Sequence, residues 1–75
     1  MVDVTQGAQW IVYDVLREAG RPMTVAEIAA EFDRLGVIHQ RPTTKMCVWS
    51  ALGKRKKRHR DVERVAKSTW ALVET

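Results

Sequence analysis

The apolar side chains recur at two different spacings, and the change between them constrains the fold more than any other feature. Between residues 8 and 52 they follow the i, i+3, i+4 spacing that places side chains on one face of a helix. After Asp61 they alternate with polar residues, which is the period of a β-strand. A chain of 75 residues makes one domain. The pattern therefore predicts a single α+β domain over residues 1–75, with three helices followed by a two-stranded β-hairpin.

The first predicted helix ends at a glycine. Its inward stripe consists of Ala8, Ile11, Val12, Val15, Leu16 and Ala19. Asp3 or Thr5 is the expected N-terminal cap, and residues 1–4 are expected to be a frayed lead-in. Gly20 directly follows the stripe, where a glycine in the left-handed conformation commonly ends a helix.

The second predicted helix has signals at both ends. Thr24 and Glu27 have the T-x-x-E spacing of a capping box, in which each side chain binds a backbone N–H group of the helix start. The inward stripe consists of Val25, Ile28, Ala29, Phe32 and Leu35. Gly36 is expected to end this helix as Gly20 ends the first, with Val37 supplying the apolar contact that often closes such an end.

The third predicted helix begins amphipathic and ends in a run of positive charge, TTKMCVWSALGKRKKRHR over residues 43–60. Thr43 or Thr44 is its expected cap. The inward face consists of Thr44, Val48, Ala51 and Leu52, and the opposite face of Met46, Ser50, Gly53 and Lys57, flanked by Lys45, Trp49 and Lys54. Residues 54–60 contain no acid, so we expect repulsion among them to end the helix between Arg55 and Arg60.

The net charge of +4 is distributed unevenly along the chain. Residues 1–40 hold three basic residues against six acids, a balance of −3. Residues 41–67 hold ten basic residues against two acids, a balance of +8, and residues 68–75 contribute −1. This asymmetry indicates a polyanionic partner, with nucleic acid favoured over a membrane surface.

Composition argues against several other classes of protein. No apolar run approaches the roughly 20 residues that span a bilayer, and the start MVDVTQ does not resemble a secretion signal. Cys47 is the single cysteine, so we expect no internal disulfide, a reducing compartment and a buried thiol. His39 and His59 lie in polar stretches, and no spacing indicates a catalytic set, a metal site or a cofactor. We therefore expect that the protein is not an enzyme and that it binds neither a metal nor a cofactor.

Two short β-branched and aromatic stretches, residues 63–65 and 69–72, are predicted to form the hairpin. Val65, Trp70 and Leu72 are expected on one face, and Arg64, Ala71 and Val73 on the other. The turn between the strands, residues 66–69, lacks the glycine of tight hairpins.

The order of these elements resembles the winged helix-turn-helix, and most closely its HARE-HTH branch, over about residues 5–73. The residues that carry this resemblance are GRPMTVAEIAAEF (20–32), VWSAL (48–52) and ERVAKSTWAL (63–72). The branch occurs beside restriction enzymes, chromatin factors and the bacterial RNA polymerase delta subunit. The resemblance implies that residues 21–24 form a short first strand pairing with the hairpin, or wing. The chain differs from the family in its glycine-free hairpin turn and in its longer link, residues 37–42, between helices two and three.

The resemblance also implies a way of binding DNA, in which the third helix enters the major groove and the wing touches the backbone or minor groove. The implied groove-facing residues are Lys45, Met46, Trp49, Ser50 and Lys54. The implied phosphate contacts are Arg41 and Thr43 at the helix start, Lys56, Lys57, Arg58 and Arg60 beyond it, and Lys67 in the wing. Because arginine is scarce on the outer helix face, we expect phosphate contacts to dominate and sequence preference to be weak.

Other interpretations remain open on sequence alone. The basic run is also compatible with a solvated surface, a nuclear import signal, or contact with RNA or protein. A protein-interaction module would use helices one and two, whose acids are Asp14, Glu18, Glu27, Glu31 and Asp33. We expect a monomeric or weakly dimeric transcriptional regulator or accessory factor that binds double-stranded DNA. It is expected to be a protein of a bacterium or its phage, located in the cytoplasm at the nucleoid.

Individual side chains have two interpretations as well. Trp10 and Tyr13 flank the first apolar stripe, where we expect them to cover the edge of the core. Trp70 is expected in the core, whereas Trp49 either packs against the wing or stacks on a base. Gly53 either permits close approach of a phosphate or backbone, or begins the end of the third helix.

Overall fold

The computed structural model describes the backbone of residues 4–73 and the side chains of residues 7–73. Its helices are α1 (Val4–Ala19), α2 (Val25–Leu35) and α3 (Thr44–Arg58), and its strands are β1 (Met23–Thr24), β2 (Val62–Ala66) and β3 (Thr69–Leu72). The strands form one antiparallel sheet in the order β1-β3-β2. The α+β class, the three helices and the short first strand that pairs with the hairpin are thereby confirmed.

The start of α1 differs from one predicted cap, whereas its end agrees with the prediction. The helix begins at Val4, so Thr5 lies inside it and is not its cap. Val4 of the expected lead-in is helical, and the rest of the lead-in, residues 1–3 with Asp3, lies outside the described residues. At the other end Gly20 has a φ of 64°, and its N–H group donates to the Leu16 carbonyl oxygen at 3.1 Å. The predicted left-handed glycine end is confirmed.

Both predicted ends of α2 are confirmed. The Glu27 N–H group donates to Thr24 Oγ1 at 3.1 Å, and the Thr24 N–H group donates to Glu27 Oε1 at 3.0 Å, which completes the capping box. Gly36 has a φ of 70°, and the Val37 N–H group donates to the Phe32 carbonyl oxygen at 3.0 Å. Val37 then packs against the core.

Leu35 was wrongly predicted to face inward, since it is 53% exposed. The helical period places it above Phe32 and Ile28, which are both fully buried. However, Leu35 is the last residue of α2, and the chain leaves the helix at Gly36 directly after it. It lines an open groove between α1 and α2 together with Ile11 and Val15.

One core joins the three helices to the inner face of the sheet. Its largest fully buried side chains are Phe32, Leu16, Ile28, Leu52, Val12, Val48 and Val62. Burying a side chain of this size stabilises the fold by about 1.5–3 kcal/mol. The predicted core positions of Trp70 and Cys47 are confirmed, because both are 5% exposed. Among residues 4–73, none of the helices is long and apolar enough to cross a membrane.

The faces of β2 were wrongly predicted. The register pairs Val62 with Leu72 and Arg64 with Trp70, and directly paired residues share a face of the sheet. Val62 is therefore the buried valine, while Val65 lies on the other face and is 47% exposed. The register shifts between Arg64 and Ala66, which is the signature of a β-bulge. Because a one-residue shift moves every side chain of a strand to the opposite face, this bulge explains why Val62 is buried in place of Val65.

The hairpin turns without glycine because Ser68 takes the left-handed conformation, with a φ of 57°. A non-glycine residue in this conformation costs about 1–2 kcal/mol. A backbone hydrogen bond holds the turn in place, since the Val25 N–H group at the start of α2 donates to the Ser68 carbonyl oxygen at 2.8 Å. The wing tip is thereby fastened to the second helix.

Candidate nucleic-acid interface

The interface is built on α3, whose start is capped as predicted. Thr43 has an extended backbone and its Oγ1 accepts the Met46 N–H group at 3.2 Å, so Thr43 and not Thr44 is the cap. Thr44 is the first helical residue and its hydroxyl donates to Asp33 Oδ1 at 2.9 Å. The helix continues to Arg58, within the interval in which its end was predicted.

Arg55 differs most from what its place in the basic run of residues 54–60 suggests, because its side chain is buried. Its side chain is 4% exposed, with Nε donating to Asp61 Oδ1 at 2.8 Å and Nη2 donating to Asp61 Oδ2. The guanidinium carbon lies 4.4 Å from the centre of the Trp10 ring and 4.6 Å from that of Tyr13. These contacts join the end of α3 to α1 and to the segment that enters β2.

The two aromatic rings of α1 thus cover a buried cation at the edge of the core. Such contacts stabilise a cation by about 2 kcal/mol where water is excluded. The hydrogen bond from Arg55 lowers the pKa of Asp61, against the opposing effect of its partial burial. Trp10 remains 55% exposed, and its ring centre lies 5.8 Å from that of His59.

Two signals in the sequence point to the role of Arg55. Position 55 lies three residues after Leu52 and four after Ala51, so it continues the inward stripe of α3. Asp61 is the first acid after the basic run and is close enough in sequence to pair across the helix end. Neither signal alone predicts burial, because a buried arginine requires partners from several elements at once.

The remaining basic side chains of residues 41–67 have no acidic partner among the described side chains. Ion pairs within 4.0 Å join Arg17 to Asp14, Arg21 to Glu27, Arg34 to Glu31 and Arg55 to Asp61. All three arginines before residue 41 are therefore paired, whereas nine of the ten basic residues from 41 to 67 are not. These nine are Arg41, Lys45, Lys54, Lys56, Lys57, Arg58, Arg60, Arg64 and Lys67.

Most of the predicted contact residues are open to solvent. The exposed ones are Arg41, Thr43, Lys45, Met46, Trp49, Lys56, Lys57, Arg58, Arg60 and Lys67, while Ser50 and Lys54 are half-buried. Thr43 uses an oxygen lone pair in capping, and its hydroxyl hydrogen can still be donated to a phosphate. Lys67 stands at the wing tip next to Ser68.

Trp49 connects the outer surface of α3 to the wing. Its ring centre lies 5.9 Å from that of Trp70, at an interplanar angle of 79°, the edge-to-face arrangement that aromatic pairs prefer. The side chain is nevertheless 38% exposed. Trp49 therefore packs against the wing while part of its ring faces solvent.

Gly53 lies within α3, five residues before the helix ends, so the interpretation of Gly53 as the beginning of that end is wrong. A methyl group built on this glycine meets nothing within 4 Å. The position that a side chain would occupy at Gly53 is thus open, and close approach of a phosphate or backbone stays a prediction.

Comparison with known protein families agrees with this arrangement. The family model HARE-HTH, whose description includes "ASXL, restriction endonuclease HTH domain", matches residues 9–75. HARE-HTH is a family of DNA-binding helix-turn-helix domains. No curated protein and no solved structure gave a significant match.

Proposed function

The chain belongs to the HARE-HTH family, and we propose that it binds duplex DNA through α3, the residues that flank α3 and the wing tip. In this proposal it serves as a small transcriptional regulator or accessory factor of a bacterium or its phage, at the nucleoid in the bacterial cytoplasm. It acts as a monomer or weak dimer. The family is one of DNA-binding rather than enzymatic domains.

The observation that supports this proposal best is the distribution of unpaired positive charge. Nine basic side chains between residues 41 and 67 lack an acidic partner among the described residues. Cations crowded on one helix and its flanks repel one another, so an anion that lies against them lowers their free energy. A duplex carries one phosphate charge per about 1.7 Å of its axis and supplies such anions in a regular array.

Burial of Arg55 favours a fixed interface over a loose charged tail. Its pair with Asp61 and its contacts with Trp10 and Tyr13 hold the last turns of α3 on the core. Lys56 and Lys57 are the next residues of this anchored helix, so their side chains project from a rigid support. Ordered cations require less conformational entropy to be lost on binding than those of a flexible tail.

The proposed roles of the side chains follow from their positions. Lys45, Met46, Trp49, Ser50 and Lys54 face the major groove from α3. Phosphates are contacted by Thr43, Lys56, Lys57, Arg58, Arg60 and Lys67, and Arg41 lies beside them just before the start of α3. A helix start with a free hydroxyl and exposed N–H groups is a common phosphate contact.

A protein partner on α1 and α2 receives less support from the structure. Of the five acids that would attract it, Asp14, Glu27 and Glu31 are paired with arginines and Asp33 accepts the Thr44 hydroxyl. The Arg21 hydrogen bond lowers the pKa of Glu27, with the Thr24 N–H group as the second cause. Four of these acids therefore already have bonding partners within the chain.

The test of the proposal is the salt dependence of binding to a short duplex, followed by fluorescence anisotropy. If about six phosphates are neutralised, the slope of log K against log salt will be about −5, from roughly 0.9 per phosphate. A slope near zero, or no binding at low salt, would exclude phosphate contact through the basic residues and refute the proposal.

A further inference from the structure

A chain of side-chain hydrogen bonds runs from α2 to the outer surface of α3. The Thr44 hydroxyl donates to Asp33 Oδ1, which leaves its oxygen to accept from His39 Nε2 at 3.3 Å. The other ring nitrogen, His39 Nδ1, accepts the Arg41 N–H group at 3.2 Å. These bonds require the neutral imidazole that carries its proton on Nε2. The link between α2 and α3 is thus fastened at both ends.

The link directs the Arg41 side chain along α3. Arg41 Nη2 donates to Ser50 Oγ at 3.3 Å, although Ser50 lies nine residues later in sequence. Thr44 to Ser50 spans about 9 Å of helix at 1.5 Å per residue, so the guanidinium group lies beside the second turn of α3. Burial raises the pKa of the nearby Cys47 thiol, and the positive charge of Arg41 opposes this rise.

The position of Arg41 adds an arginine to the outer face of α3. The outer face of α3 carries lysines but no arginine before Arg58 other than the buried Arg55. The structure brings an arginine onto that face from outside the helix. The N-terminal turns of a helix in the major groove are the part that reaches base edges.

We propose that Arg41 reads a guanine in the major groove and gives the domain a sequence preference. A guanidinium group has five N–H donors, and only one of those of Arg41 contacts another described side chain. Two parallel N–H groups match the O6 and N7 acceptors of guanine, which a lysine ammonium group cannot reproduce in the same planar geometry. The long bond to Ser50 orients the side chain and is weak enough to yield to the base. This inference rests on the proposed function.

Selection of preferred duplexes from a randomised pool tests the inference. The whole chain and the variants Arg41→Lys and Arg41→Ala are each selected, with Arg34→Lys as the control because Arg34 pairs on the exposed surface of α2. Binding of the selected duplex is then compared with that of the same duplex in which guanine is replaced. Thermal unfolding of each variant checks that it is folded.

The expected result is a guanine at one fixed position for the original chain and for Arg34→Lys. Arg41→Lys should reduce the ratio of selected to replaced duplex at least about 10-fold, within the range of one bidentate base contact. A purely electrostatic role would weaken both duplexes equally and leave the ratio unchanged, which overturns the inference. The absence of a guanine preference in the original chain also overturns the inference. In either case, salt-dependent binding to duplex DNA would still support the proposed function. Absence of any duplex binding would refute both.

Discussion

Replacing Lys56 and Lys57 together by glutamate will weaken duplex binding by about 60-fold or more at 0.1 M salt. Each phosphate contact contributes a factor of roughly 10 raised to 0.9 under these conditions, so two lost contacts give about 60. The introduced carboxylates repel phosphates and add to this loss. Both lysines are exposed and neither forms an ion pair with a described side chain, so the fold should be unaffected.

The matched control replaces two arginines by glutamate within residues 1–40, the part of the chain with a negative charge balance. Arg17→Glu with Arg34→Glu changes the net charge by the same −4, but it alters α1 and α2, where it breaks two exposed ion pairs and the contact of Arg17 with the Tyr13 ring. We expect this variant to lose much less affinity. If both double variants lose equal affinity, net charge and not the α3 surface governs binding, and the proposed interface is wrong. Fluorescence anisotropy titrations at one temperature and one salt concentration compare the duplex affinities of the two double variants.

Removing Asp61 will destabilise the protein more than removing Arg55. Asp61→Ala leaves the Arg55 guanidinium buried without its carboxylate, and an uncompensated buried charge costs about 3 kcal/mol or more. For a domain of this size, this corresponds to a fall in melting temperature of roughly 10–20 °C. Arg55→Met should cost about 1 kcal/mol, because methionine fills the apolar space below Trp10 while Asp61, about a third exposed, remains hydrated.

Urea and thermal unfolding of both variants measure this difference, with Asp14→Ala as the control. That control breaks the exposed pair with Arg17 and should change stability by about 0.5 kcal/mol. Equal losses for Asp61→Ala and Asp14→Ala would show that Arg55 is not held as the structure indicates. So would a larger loss for Arg55→Met than for Asp61→Ala.

The same pair gives stability a pH dependence with a definite sign. Because the folded-state pKa of Asp61 is lowered from its ordinary value of 3.8, its contribution is present above that value. The contribution disappears as the pH falls below 3.8 through the lower folded-state pKa. In Asp61→Ala this component of acid unfolding should be absent, and the stability curves of the two proteins should converge at low pH.

The helices could be predicted from sequence because their signals are local. The stripes of α1 and α2, the Thr24–Glu27 capping box and the two left-handed glycines each lie within a few residues of the structure they specify. Strand β1 has two residues and no pattern of its own, so only the resemblance to winged helices predicts it.

Features that depend on contacts between distant residues were missed. Arg55 belongs to the same basic run as Lys56 and Lys57, and its burial depends on Trp10 and Tyr13 on another helix. Val62 and Val65 are equally suited to a strand, and the bulge before Ala66 selects the one that is buried. The position of Arg41 on α3 depends in the same way on the hydrogen bonds through His39 and Ser50.

The binding surface itself can be located by an NMR titration of the ¹⁵N-labelled chain with a short duplex. We expect the amide shifts to cluster in residues 41–60 and near Lys67, with small changes elsewhere on α1 and α2. Shifts confined to residues 4–35, or none at all, would show that the basic surface on α3 is not where the domain meets DNA.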